Sequence, residues 1–234
     1  MKLDRWMETG IDLIYPPRCP FCGTIIPSRW ELLCPECREE EKAALHRPAR
    51  IDREKHYYYC IESAAALYKY HHPLVQNGIL RMKSSEPWYA AGFARLMAVR
   101  LYGYEPDKRK SLLDLSLEYG CIVPVPDSKT GRGYWVTGLM ARELGRLVGL
   151  PVETKALKKI RSTVRQAGLD REERLTNLIG AFEVTSPEKV EGKKILLLDD
   201  IMTTGSTVSC CAQALLEAGA VSVCAICLAV SEQG

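Results

Sequence analysis

The segment that most limits how this chain can fold is Lys194 to Val208, KILLLDDIMTTGSTV. Ile195 to Leu198 are consecutive apolar residues, too few for a helix and without the polar alternation of a half-exposed strand. They predict a strand buried on both faces, as in a parallel sheet. Asp199 and Asp200 follow at its C-terminal edge, and then Thr203, Thr204, Gly205, Ser206 and Thr207. Val208, Cys211, Ala212, Leu215 and Leu216 recur at helical spacing until Gly219 stops the pattern. The order is strand, hydroxyl-bearing turn, helix, and open α/β sheets take ligands at the carboxyl ends of their strands.

Such an order makes an anion site. The first N–H groups of a helix have no intrahelical acceptor, and the macrodipole adds to their pull on a phosphate. Gly205 lets the backbone come close, and the neighbouring hydroxyls add donors. Two adjacent carboxylates repel a bare anion. They fit a ligand whose own hydroxyls donate to them, or one that arrives with Mg²⁺. A sugar phosphate with vicinal hydroxyls meets every requirement. An NTPase is a poorer match, because the chain has no G-x-x-x-x-G-K-[ST] to pair with the acidic strand end.

Near the N-terminus, Cys19-Pro20-Phe21-Cys22 and Cys34-Pro35-Glu36-Cys37 are separated by residues 23–33. Cys19, Cys22, Cys34 and Cys37 form a soft tetrahedral ligand set that suits Zn²⁺. Each C-P-x-C is a tight knuckle, Gly23 suits the turn, and the connection has room for a short hairpin. No coordination position is left open, so the metal is structural.

With 234 residues and a net charge of +3, the expected organisation is one domain with a small appendage. Residues 1–50 would be an N-terminal helix and zinc ribbon, and residues 51–234 the main domain. The chain has no run of eighteen apolar residues, and Asp4, Glu8 and Asp12 interrupt any signal-peptide core. The expectation is a soluble cytoplasmic protein with no membrane contact and reduced cysteines. Charge is too evenly balanced, and basic-aromatic patterning too weak, for strong direct nucleic-acid binding.

Between these landmarks, Arg38 to His56 reads as a charged helix and then a linker, with His46 and His56 solvated. Tyr57 to Tyr70 reads as a strand or hairpin, with Cys60 in the core. Two helices follow, with Leu74, Ile79 and Leu80 and then Trp88, Phe93, Leu96, Met97 and Leu101 inward. Gly120 to Pro126 is a second buried strand, and Asp127 to Gly133 is a polar glycine loop at its end. A helix spans about Thr137 to Leu147. Lys155 to Gly180 is long and basic at its start, with Lys158, Lys159, Arg161 and Arg165, and reads as a mobile flap over the site. Cys224 and Cys227 on a last strand would face opposite sides, so they are core residues, as are Cys121, Cys210 and Cys211.

LLLDDIMTTGST resembles the phosphoribosyl pyrophosphate (PRPP) motif of type I phosphoribosyltransferases. Together with the Pro16-Pro17 doublet, the cysteine ribbon, the VPVP strand and the block Gln166-Ala167-Gly168-Leu169 through Arg174, Asn177, Leu178, Ala181 and Phe182, it is similar to the ComF family. The resemblance implies an α/β, type I phosphoribosyltransferase-like fold with a mainly parallel sheet and a small N-terminal zinc ribbon. It implies that Asp199 and Asp200 hold the ribose hydroxyls and that Thr203, Thr204, Gly205, Ser206 and Thr207 hold the 5′-phosphate. Lys83 falls where the family has a lysine facing the ligand. The loop of Asp127, Ser128, Lys129, Gly131 and Arg132 departs from the family's R-G-F-N-Q and resembles instead the pyrophosphate loop of amidophosphoribosyltransferases. A second set of ribbon cysteines is absent. Two functions follow from the resemblance: Mg²⁺-dependent phosphoribosyl transfer to an acceptor, or a non-catalytic PRPP or nucleotide sensor in DNA uptake, partnered by a competence helicase or recombination protein.

Overall fold

The strand expected at 195–198 lies inside a parallel sheet with helices on both faces. The computed structural model describes residues 10, 12, 14–52, 59–84, 86–127, 134–161, 178 and 180–231. In chain order the elements are α1 (Pro35–Ala44), β1 (Ser63–Lys69), α2 (Pro73–Ser84), α3 (Tyr89–Tyr102), β2 (Tyr104–Glu105), β3 (Lys110–Ser111) and β4 (Cys121–Pro124). Then come α4 (Val136–Val148), β5 (Leu157–Lys159), β6 (Phe182–Val184), β7 (Lys194–Met202), α5 (Ser206–Glu217) and β8 (Ser222–Val230). The four-stranded sheet runs β1-β8-β7-β4 with every pairing parallel. β2 with β3 and β5 with β6 form small antiparallel ribbons.

Successive strand residues face opposite sides, and here both sides are dry. Ile195 and Leu197 join Cys121, Val123, Val223 and Cys227 in the cluster beneath α5. Leu196 and Leu198 join Ile122, Cys224, Ile226 and Leu228 in the cluster beneath α2, α3 and α4. Two covered faces are why the run carries no polar alternation. Cys224 and Cys227 do fall on opposite faces, and Cys121, Cys210 and Cys211 are buried.

The cluster beneath α2, α3 and α4 continues without a break into the ribbon through Cys19, Phe21, Ile26, Leu33, Cys34 and Cys37. Phe21 meets the rings of Tyr68 and Phe93 edge-on, with centroids 5.5 and 5.3 Å apart. The connection between the cysteine pairs, expected to hold a short hairpin, forms no strand pair of its own among the described residues; the antiparallel bridge from Arg18 to Ile25 closes the first knuckle instead.

Several expectations need correction. The segment read as a linker is an added edge: Leu45 and Arg50 pair antiparallel with Tyr68 and Ala65 of β1. His46 donates its backbone N–H to Leu67 O at 2.9 Å and is buried by that pairing, not solvated. Cys60 is exposed rather than core, because it sits at φ 59° in the turn that leads into β1. Leu80 and Trp88 are 58% and 60% exposed. Leu80 is one helical step past buried Ile79, and Trp88 is the N-cap of α3. The basic stretch at 157–159 is strand β5 paired with β6, not loop. His56, most of the N-terminal helix and residues 162–177 of the expected flap lie outside the described residues. Among the described residues, no helix is long and apolar enough to cross a membrane.

Candidate functional site

β7 outruns its neighbour. The last β4 pairing is Pro124 with Leu198, so Asp199 and Asp200 stand just past the end of β4, at the carboxyl edge of the sheet. Asp199 is 8% exposed, and its Oδ1 accepts the Asp200 N–H at 2.8 Å. Burial first, and then the neighbouring Asp200 charge, push its carboxyl up to about 7. Asp200 Oδ2 takes an ion pair from Lys83 Nζ at 2.7 Å. Lys83 closes α2, more than a hundred residues earlier in the chain. Three further hydrogen bonds fix this corner. Tyr134 OH donates to the Lys83 carbonyl at 3.0 Å, while Trp135 Nε1 and Thr137 Oγ1 donate to the Val125 carbonyl at 3.0 and 2.8 Å. The end of α2, the end of β4 and the start of α4 therefore converge on the acid pair.

The turn after β7 supplies the helix N-terminus. Gly205 adopts φ 84°, left-handed backbone that glycine takes at little cost, and α5 begins at Ser206. Ser209 N–H to Gly205 O, at 3.0 Å, opens the intrahelical bonding, so the amides before it have no acceptor within the helix. Thr204 and Ser206 are buried and bond each other through their hydroxyls at 2.9 Å. Thr203 and Thr207 are half-buried.

Lys159 on β5 was not singled out as a ligand residue, although it lies in the basic run. Burial holds its ammonium below the usual lysine range, and the nearby Asp127 charge opposes that. Asp127 also acts on Asp199. The signal available in the sequence was alternation along β5, in which Lys158 is exposed and Lys159 half-buried.

The ribbon brings its four cysteines together. The Sγ atoms of Cys19, Cys22, Cys34 and Cys37 lie within 4.8 Å of one another, with Cys22 and Cys34 at 3.5 Å. Tetrahedral Zn²⁺ with bonds of about 2.3 Å needs sulfur separations of this size, so the site fits the metal. Burial pushes Cys34 up to about 11 and Cys37 higher still. At Cys22, burial is outweighed by hydrogen bonds from the Thr24 hydroxyl and backbone, giving about 7. Metal uptake converts all four to thiolates and releases their protons.

Comparison with known proteins matches two parts of the chain. Residues 10–49 match the double zinc ribbon domain model, and residues 130–234 match the phosphoribosyl transferase domain model. The chain is 36% identical over 97 residues to the DNA utilization protein YhgH of Escherichia coli O157:H7, covering 42% of each chain. It is 33% identical over 92 residues to Competence protein F of Haemophilus influenzae, covering 38% of this chain and 40% of the relative. These matches together support a ComF family protein. The match spans about two-fifths of the length of these relatives. A uracil phosphoribosyltransferase of Streptococcus mutans is 24% identical over 165 residues, covering 70% of this chain and 76% of that one.

The ligand residues expected from sequence divide in three. Asp199, Asp200, Lys83 and the turn from Thr203 to Thr207 meet at one sheet edge, with Asp127 beside them. Arg161 follows β5 and is exposed. Ser128, Lys129, Gly131 and Arg132 lie outside the described residues. The ribbon is a phosphoribosyltransferase-like domain's zinc-binding companion, with one complete ligand set among the described residues. Metal analysis of freshly purified, reduced protein is expected to give about one zinc per chain, as a single four-thiolate site requires. A metal-free but folded protein would remove zinc from the ribbon.

Proposed function

We propose that this chain binds PRPP with Mg²⁺ at the carboxyl edge of β4 and β7 and transfers the phosphoribosyl group to an acceptor. The observation that carries the reading is the Lys83–Asp200 ion pair. It sets a cation against the acid pair beside a glycine-opened helix N-terminus, on a domain matching the phosphoribosyl transferase model. In this reading Asp199 and Asp200 accept the ribose hydroxyls, and the amides and hydroxyls from Thr203 to Thr207 receive the 5′-phosphate. Once a ribose hydroxyl occupies Asp200, Lys83 is released to face the pyrophosphate, together with the loop from Asp127 to Arg132 and with Arg161. Mg²⁺ supplies charge neutralisation on the leaving group. As the C1–oxygen bond breaks, its electron pair leaves with pyrophosphate, and the acceptor's lone pair forms the new bond at C1. The chain contributes orientation and stabilisation of that departing charge, without a covalent enzyme intermediate.

The names of the relatives favour a second reading, in which the same site binds PRPP or a nucleotide without turnover. The chain would then serve DNA uptake through protein partners such as a competence helicase or recombination protein. Pyrophosphate release on adding candidate bases or amines separates the two, since a sensor binds and releases none. Both readings share one prediction. Asp200→Asn is expected to weaken PRPP–Mg²⁺ binding about a hundredfold by calorimetry, the loss of a charge-assisted hydrogen bond worth ~2–3 kcal/mol. Its melting temperature should stay within about 3 °C of the parent, because a part-exposed ion pair contributes only ~1 kcal/mol. Binding unchanged in Asp200→Asn would place the ligand elsewhere, and a melting drop above about 10 °C would assign the aspartate to the fold.

A further inference from the structure

The zinc knuckle and the acid pair touch the same helix. Pro20, Phe21 and Gly23 of the first knuckle lie directly on α2, whose last turn carries Lys83. The contact leaves no room for a side chain at Gly78, and the left-handed backbone of Gly23 disfavours one there. A Cβ at Gly78 of α2 would stand 2.9 Å from Phe21 Cδ1, 2.8 Å from Phe93 Cζ and 3.3 Å from the Pro20 carbonyl. A Cβ at Gly23, where φ is 82°, would stand 2.5 Å from Arg81 Nη2, also on α2. Pro20 and Phe21 are bracketed by Cys19 and Cys22, so bonds from these thiolates to a metal would add to the backbone hydrogen bonds Cys19 N–H to Thr24 O and Gly23 N–H to Cys19 O in holding the knuckle's shape. In the last turn of α2, next to Arg81, Lys83 spans to Asp200 at 2.7 Å. Helix α2 is thus seated by the ribbon along its middle and last turn and delivers a cation to the acid pair from that same turn.

We propose that zinc occupancy of the ribbon sets the seat of α2, and through it the affinity of the acid-pair site for its phosphoribosyl ligand, with Phe21 as the positioning residue for Lys83. The inference rests on the PRPP reading given above. In the zinc-loaded protein, Phe21 fills the notch at Gly78 and Lys83 reaches Asp200. Without the metal the knuckle keeps only its backbone hydrogen bonds, its hold on α2 loosens, and the cation stands less firmly at the site. Linkage makes the effect reciprocal: whatever factor zinc adds to ligand affinity, the ligand adds to zinc affinity.

The test uses the full chain in three forms, titrated calorimetrically with PRPP and Mg²⁺, each with zinc and after removal of zinc by a chelator. The unsubstituted protein is expected to bind PRPP at least tenfold more weakly without zinc. Its zinc should in turn be at least tenfold harder to extract by the chelator at saturating PRPP. Lys83→Met is expected to bind weakly in both states and to show no dependence on zinc. Gly78→Ala keeps all four thiolates and should retain one zinc, yet bind as the zinc-free protein does, because its methyl group meets Phe21 of the knuckle as well as Phe93 of α3 and so shifts the seat of α2. Hydrogen exchange in residues 73–84 gives a readout that needs no PRPP, and is expected to quicken on zinc loss and in Gly78→Ala. Equal PRPP affinity with and without zinc would overturn the coupling and leave the ligand reading intact. Absence of PRPP binding in every form, with α2 exchange unmoved by zinc, would overturn both. Should the metal-free chain unfold, Gly78→Ala with zinc bound decides alone: parental affinity refutes the coupling.

Discussion

Glu41→Ala is expected to destabilise the fold by about 3 kcal/mol and to lower the melting temperature by roughly 6–12 °C. Glu41 on α1 is 2% exposed. Its Oε1 accepts the Tyr68 hydroxyl at 2.7 Å, and its Oε2 accepts Arg100 Nη2 at the same distance. Arg100 Nε adds a longer bond to Oε1 at 3.2 Å. One carboxylate therefore ties the ribbon's helix to β1 and α3. Truncation leaves the fully buried Tyr68 hydroxyl without this acceptor, a loss of about 1–3 kcal/mol, and removes the counter-charge from Arg100. Arg100 is 36% exposed and can turn to water, which keeps the total near the lower end of what breaking a buried pair costs. Glu41→Gln retains an oxygen for Tyr68 and should lose less than half as much. Thermal melts of the two variants check the argument: equal losses would mean that packing, not the hydrogen-bonded charge, is what Glu41 supplies.

Glu41 also shows where reading the sequence stopped. In PECREEEKAA it is one acid among four, and helix periodicity alone does not separate the buried one from the solvated three. Its partners stand 27 and 59 positions away, at Tyr68 and Arg100. The same limit hid the edge pairing of residues 45–51, which made a histidine that looks solvated into a buried one. By contrast, the stretch from Lys194 to Val208 announced its structure because its strand, turn and helix signals are all local. Consecutive apolar residues bury both faces of β7, and Gly205 has the left-handed backbone its position required. Lys83 was placed by family resemblance rather than by spacing, and its ion pair with Asp200 gives that placement a geometry. Lys159 had no comparable cue except strand alternation, in a segment whose charge suggested loop. Cys60 failed for a backbone reason, since a residue at φ 59° interrupts the strand pattern that would have buried it.

Asp199→Asn should stabilise the ligand-free protein at pH 8 while removing function, and the pH dependence of that gain is the sharper result. An aspartate in an unfolded chain titrates near 3.8, and burial with the Asp200 charge raises the folded value to about 7. Between these two values the folded state keeps a proton that the unfolded state has lost. Stability from this group is therefore present at low pH, declines as pH rises through about 7, and is gone above it. Asparagine keeps an oxygen to accept the Asp200 N–H but never has to ionise in a site that is 8% exposed. The variant should thus match the parent near pH 4 and exceed it by on the order of 2–4 kcal/mol at pH 8, or several degrees in melting temperature. Denaturant titrations at a series of pH values between these limits would show the difference opening. A constant offset at every pH would mean that the carboxyl is not held neutral by its surroundings. The stability forgone by the parent is what a binding carboxylate demands: Asp199 is kept buried and ionisable beside a second acid, an arrangement the fold alone would not favour but a ligand bearing hydroxyls or Mg²⁺ would offset.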